Sequence, residues 1–166
     1  MIPSPLRLAA AAALFCATAA GAAGPAPQLP SAQSDYLLGC GGCHGLHGWT
    51  NSKIVPDLRN QAGYFLNMPE GRAYLIQLPN VAFMPLSDQA LAEMMNFVVF
   101  TLGGDSAPPG AKPFDAREVS ALRQHPLTED GLAAHRAKLV NQLIGRYGAS
   151  EKLRLYQAGP APQETE

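Results

Sequence analysis

Clustered positive charge is missing from this 166-residue chain: no basic run occurs anywhere, and twelve Lys and Arg stand against thirteen Asp and Glu. Polyanions are bound through concentrated cations, so nucleic acid is not an expected partner. Cysteine is scarce. Of three, Cys16 lies in an N-terminal apolar run, and the other two fall in the single window Cys40–Cys43, which leaves no disulfide framework. A series of alternating apolar and polar segments is lacking, as is any internal repeat, which argues against strand-built and solenoid architectures. The chain is instead rich in Gly (16) and Pro (15), a composition that suits short helices separated by many turns.

Arg7 followed by the apolar run Leu8–Ala20 and the small-residue sites Ala20-Gly21-Ala22 and Ala22-Ala23-Gly24 predicts a secretory signal over 1–24. The run is well short of the roughly 20 residues a membrane span needs, so no stable span is expected once the signal is removed. Cys16 would leave with it, since Phe15 does not fit the small residue that a lipoprotein signal requires.

A Pro-rich linker (25–33) leads into a short amphipathic segment, Ala32–Leu38. Loop is expected from Gly45 to Pro69, then a helix through Gln77 stopped by Pro79, with Tyr74, Leu75 and Leu78 on one side. A second loop, Asn80–Leu86, precedes the clearest helix, Asp88–Leu102, with Ser87 as N-cap and Gly103 placed for the C-cap. After a Pro/Gly linker, Asp105–Pro113, Asp115 and Glu118 form a capping-box pattern for a helix ending near Gln124. Thr128 is placed to cap a longer helix whose stripe is Leu132, Leu139, Val140, Leu143, Ile144 and Tyr147, closed by Gly148. The fold class is therefore all-α, with a first domain over 34–104, a C-terminal helical extension over 105–158 and a disordered tail over 159–166.

The motif that carries chemistry is Cys40-Gly41-Gly42-Cys43-His44. Two thiols at this spacing can add to the two vinyl groups of one haem while the adjacent imidazole reaches the iron, the attachment pattern of c-type haem. A structural zinc site would need a fourth ligand, and a thioredoxin-like dithiol a βαβ context; neither is visible. One covalent haem c is expected, tethered by Cys40 and Cys43 and ligated by His44.

From these residues outward, over Ala32–Gly103, the chain resembles the class I single-haem bacterial cytochromes c. Tyr36 takes the place of the aromatic on that family's first helix. Val55-Pro56-Asp57-Leu58 is similar to the segment whose proline carbonyl accepts a hydrogen bond from the haem-ligating histidine, which places Pro56 behind His44. Leu86-Ser87-Asp88 leading to Met94-Met95-Asn96-Phe97 is similar to the family's C-terminal helix, where Phe97 would pack across the first helix; Ala32 stands where the family usually has Gly. The resemblance implies a small cytochrome c-like haem domain of short helices and loops wrapped round one haem. Met84, in a loop before Pro85 and the last helix of that domain, is the expected sixth ligand, ahead of Met68; Met94 and Met95 read as core, and His47, His125 and His135 as solvated surface. Trp49, Tyr64 and Tyr74 fit either porphyrin contact or ordinary core packing, and Arg59 and Arg72 either a propionate pair or the surface.

The implied function is one-electron transfer in a bacterial periplasm, from a dehydrogenase towards a downstream cytochrome or oxidase. Pro69-Glu70-Gly71-Arg72-Ala73-Tyr74-Leu75 is similar to small cytochromes that accompany amine or alcohol dehydrogenases. Between Ser34 and Gly104 there are three basic and five acidic residues, so docking is expected through apolar contact by side chains such as Leu37, Leu38, Ile54, Val55, Val81 and Phe83. With both axial positions filled there is no place for a substrate, and the protein is not expected to be an enzyme itself. The competing readings are a five-coordinate haem protein, peroxidase-like or gas-sensing, and a haem subunit fixed within a larger redox complex.

Overall fold

A computed structural model describes residues 29–49, 55–128 and 130–156; the expected signal over 1–24, most of the linker, Ile54 and the 159–166 tail lie outside them. The described residues form helices and turns and no strand, so the chain is all-α. The helices are α1 (Ser31–Gly39), α2 (Gly41–His44), α3 (Pro69–Gln77), α4 (Pro79–Ala82), α5 (Asp88–Asn96), α6 (Ala116–Arg123) and α7 (Leu132–Tyr147). Tighter 3₁₀ turns cover Ala62–Asn67, Gly104–Ser106 and Glu151–Leu155. Helix α1 begins at Ser31, inside the stretch expected to be linker.

Local chemistry explains most of the helix ends. Pro69 and Pro79 open α3 and α4 at a position where a missing N–H costs nothing. Helix α4 thus occupies the start of the expected Asn80–Leu86 loop, and Leu78 sits between the two helices with an extended ψ of 129°. The Ser87 hydroxyl caps α5 by accepting from the Ala90 N–H at 3.2 Å. Beyond Asn96 the helix widens into a π-helical turn, Phe97–Leu102, closed by the Gly103 N–H on the Val98 carbonyl at 2.8 Å. The wider turn keeps Gly103 right-handed (φ −64°), and the left-handed residue is Gly104 (φ 51°), one place later than the sequence pattern suggests.

Asp115 caps α6 through the Glu118 N–H at 2.9 Å, but the capping box is not reciprocal, because the Glu118 carboxylate turns to Arg72 instead. Thr128 does not cap α7. Its hydroxyl donates to the Asp130 carbonyl at 3.0 Å, and the helix starts after left-handed Gly131 and stops at left-handed Gly148.

One apolar core runs through the molecule without a break at residue 104. Tyr36 of α1, Leu91, Met94 and Met95 of α5, Phe65, Tyr74 and Ile76 share it with Val119 of α6 and Leu139, Val140 and Leu143 of α7. Tyr36 and Phe97 meet as tilted rings 5.5 Å apart where α1 and α5 pack, while Tyr147, expected on the buried stripe, is largely exposed. Arg72 of α3 reaches across with a bidentate pair to Glu118 (2.6 and 2.8 Å), donates to the Lys112 and Pro113 carbonyls, and lies over the Phe114 ring. The Asn96 side chain pairs with both backbone groups of Phe114 at 2.9 and 2.7 Å. The Asp105–Pro113 connection is therefore tied down at its far end.

Candidate functional site

Helix α1 ends at Gly39, where the Cys40 N–H still donates to the Tyr36 carbonyl at 2.8 Å, and the chain turns at once into α2. The His44 N–H returns to the Cys40 carbonyl at 2.9 Å. This single helical turn puts residues four apart on one face, so Cys40 and His44 both border an internal cavity; Cys43, one step round, is exposed and does not. Gly45 then reverses the chain at φ 73°, and a Cβ there would stand 2.1 Å from the Trp49 carbonyl oxygen. The Tyr36 hydroxyl fastens the same turn by donating to the Gly45 carbonyl at 2.6 Å.

His44 Nδ1 lies 2.9 Å from the Pro56 carbonyl, the contact that the resemblance implies. A carbonyl only accepts, so Nδ1 carries the proton and, in the neutral ring, Nε2 keeps the lone pair. Burial pulls the His44 pKa below the usual histidine value, against the opposing effects of the Pro56 hydrogen bond and Asp57, which favours that neutral ring. Burial, then neighbouring Cys43, raises the Cys40 thiol pKa.

The cavity has a volume of about 240 Å³ and is partly open to solvent. Its wall is mainly apolar: Leu58, Ala62 and Phe65; Tyr74, Leu75, Leu78 and Val81; Met95 of α5 and Val98 of the π-helical turn after it; and, from the extension, Leu132, Leu153 and Tyr156. The polar groups in it are few. Asp57 Oδ1 and Gln61 Oε1 are buried there with no hydrogen-bond partner, and Arg136 of α7 is 6% exposed.

Met84 is not part of that wall. Its side chain packs on α1, where a Cβ added to Gly39 would stand 3.1 Å from Sδ and 2.8 Å from Cε. Met68 and Met94 are buried in the core away from the cavity, whereas Met95 does border it. His47, His125 and His135 are exposed, His135 with its ring stacked on Tyr74 at 5.8 Å. Of the three aromatics considered, Tyr74 borders the cavity, and Trp49 and Tyr64 do not. Arg59 lies over the Trp49 ring and Arg72 is committed to Glu118, so neither is the cavity's cation.

That cation, Arg136, was detectable: it stands four residues after Leu132 and three before Leu139, in register with the apolar stripe. A second residue without a role in the sequence reading is Arg123, whose guanidinium donates to the carbonyls of Ala82 (2.9 Å), Met84 (2.6 Å) and Leu86 (2.9 Å) and to Asp88 at 3.1 Å. The Met84 loop is held from the extension. Among the described residues no group of three or more His, Cys, Asp or Glu side chains is arranged to hold a metal ion by itself, and no helix is long and apolar enough to cross a membrane.

No protein-family model matches the chain, and no solved structure matches it. Among curated proteins it is similar to the high osmolarity signaling protein SHO1 of Lachancea thermotolerans, at 34% identity over 74 residues. That stretch is 43% of this chain and 21% of the yeast protein, too small a share of either to assign a family.

Proposed function

We propose that this chain is a periplasmic c-type cytochrome, an all-α haem domain with a helical extension that carries single electrons between a dehydrogenase and a downstream cytochrome or oxidase. The observation that carries the reading is the wall shared by Cys40 and His44: a thiol and an oriented, neutral imidazole border one mainly apolar cavity, with Pro56 behind the ring. These residues fit a flat apolar group tethered at its edge. Haem c, when bound, supplies the one-electron iron couple. The chain supplies the rest. Cys40 and Cys43 are the tethers, His44 Nε2 is the donor, and the Pro56 hydrogen bond holds the ring's orientation and increases its basicity. Apolar side chains line most of the cavity, and Leu38 (88% exposed) and Phe83 (70% exposed), on either side of the Gly39–Met84 contact, offer an apolar face for a redox partner. Export follows from the N-terminal signal pattern, as c-type attachment outside the cytoplasm requires the thiols to arrive there.

One observation favours a second reading. Since Met84 packs on Gly39 and lies outside the cavity wall, the sixth position would be open if that packing persists with haem in place, giving a five-coordinate peroxidase-like or gas-sensing protein. The test takes the exported protein through acid-acetone extraction: haem absorbance stays with the denatured chain on the proposed reading, and extractable haem, or none, refutes it. On the carrier reading the ferric protein shows the weak far-red sulfur-to-iron band and the ferrous protein resists carbon monoxide, and both properties are lost in Met84→Ala but not in Met68→Ala. A wild-type protein that is high-spin and binds carbon monoxide readily replaces the carrier with the five-coordinate reading.

A further inference from the structure

The cavity is not completed by the part of the chain that carries the cysteine motif. Helix α7 and the turn after it close it with Leu132, Arg136, Leu153 and Tyr156. Three of these are apolar or aromatic, as a wall against a hydrophobic occupant requires. The fourth is a guanidinium taken almost fully out of water, which costs several kcal/mol unless a partner compensates it. Among the described residues, of its five N–H groups the one hydrogen bond formed is from Nη1 to the Leu153 carbonyl at 2.9 Å. Among the described residues, the ion pairs are Arg72–Glu118, Arg123–Asp88 and Arg154–Glu151, so no carboxylate pairs with Arg136, although Asp57 borders the same cavity. Lys138 and Arg146 of the same helix are exposed, and Arg136 alone among its cations turns inward. A buried cation on the wall of a mainly apolar cavity, with its fork largely unused and no carboxylate of the described residues paired with it, is the complement of an anion on whatever fills that cavity.

We infer that Arg136 is an anion-binding residue of the cavity, contributed by the extension, and that it takes a carboxylate borne by the occupant. On the haem reading proposed above, on which this inference rests, that carboxylate is a haem propionate. The extension is then part of the cofactor site: α7 lays one turn of Leu132 and Arg136 over the cavity and fixes both the apolar body and the acidic rim of the bound group. Arg136 acts as a positioning residue, and its charge favours the reduced form, because a nearby cation stabilises the added electron.

The experiment uses the full chain carrying its haem. The midpoint potential is measured against pH for wild type, Arg136→Gln and Arg136→Lys. With the carboxylate held ionised by Arg136, the wild-type potential is level across neutral pH. In Arg136→Gln the carboxylate pKa rises, more in the ferrous state than in the ferric, so the potential is lower and falls with increasing pH between those two values. Arg136→Lys stays close to wild type. A folded Arg136→Gln protein with the wild-type potential and a level pH profile overturns the inference. Wild type itself gives an independent check that does not depend on a variant folding: with ¹⁵N-arginine, one guanidinium signal is displaced between the ferric and ferrous proteins and protected from solvent exchange. Absence of any such signal also overturns it. Covalent haem is read separately on the denatured chain: its absence overturns both the haem reading and this inference, while its presence with an unchanged potential overturns the assignment of Arg136 alone.

Discussion

Removing the Arg123 side chain tests whether the extension governs the loop that carries Met84. The guanidinium donates to three carbonyls, Ala82, Met84 and Leu86, at 2.9, 2.6 and 2.9 Å, and to Asp88 Oδ1 at 3.1 Å. Hydrogen bonds from a charged donor contribute about 1.5–3 kcal/mol each, which sums to about 7 kcal/mol for the three carbonyls taken at mid-range. Two facts reduce it. The arginine side chain is 18% exposed, so water can reach part of what it leaves, and the pair with Asp88, whose side chain is 37% exposed, is a surface pair that adds little. A loss of about 3 kcal/mol for Arg123→Ala is therefore expected in urea unfolding, with an unchanged m-value. Arg123→Lys should recover only a small part, because an ammonium point charge cannot span three carbonyls as a planar fork does. On the proposed haem reading, the local consequence separates loop control from general destabilisation: in native conditions the far-red sulfur band of the ferric protein should weaken in Arg123→Ala while the Soret absorption persists. A variant that loses less than about 0.5 kcal/mol, within the range of ordinary surface substitutions, and keeps the band refutes the reasoning.

Two further outcomes follow from the same structure. Gly71→Ala places a Cβ 2.4 Å from the Phe65 carbonyl oxygen, a backbone atom that cannot swing aside, so thermal unfolding should show a destabilisation of about 2 kcal/mol, in the range for overpacked sites; an unaltered melting temperature contradicts the close approach of α3 to the preceding turn. The Asp88 carboxylate pKa lies below the usual aspartate value because of hydrogen bonds from Ser120 and then Arg123, so the unfolded chain binds its proton first as pH falls. Its contribution is present above the unfolded aspartate pKa and lost as pH drops through the lower folded value. Asp88→Asn should accordingly narrow its stability difference from wild type in acid, as measured by urea unfolding at a series of pH values, and a difference that is constant across that range contradicts the assignment.

Features written in a few adjacent residues were legible from sequence. Ser87 and Asp115 accept the expected N–H groups, Pro69 opens α3, and Gly148 closes α7, because each depends only on local backbone geometry. The His44–Pro56 contact was legible for a different reason, through a resemblance that carries a twelve-residue spacing with it. What sequence reading missed depends on long-range partners. Glu118 has the spacing of a reciprocal cap but faces a bidentate guanidinium from α3, which is the stronger partner. Thr128 has cap chemistry but lies too far ahead of Leu132, and Gly131 takes the turn. Arg123 and Arg136 were passed over because a charged residue on a short helix is most often on the surface, and only the helix register of Arg136 marks it as an inward position.

The two arginines give the extension a different standing from that of an appended domain. A segment with its own core could be attached or lost without reaching the cavity. Here Val119, Leu139, Val140 and Leu143 lie in the same core as Tyr36 and Met94, so no apolar surface of α6 or α7 is reserved for a separate unit. Arg123 then fixes the backbone on both sides of Met84, and Arg136 places a cation in the cavity that Cys40 and His44 border. Under the proposed reading, ligation from one direction, charge from another and loop position from a third are set by parts of the chain more than 80 residues apart, from Cys40 to Arg123 and Arg136. The face left for a partner is the one the extension does not cover, where Leu38 and Phe83 remain exposed beside the turn that bears both cysteines. On the proposed carrier reading, this division leaves the extension to line one side of the cavity and an apolar edge near the cysteine turn open to a partner, with contact weak enough for release.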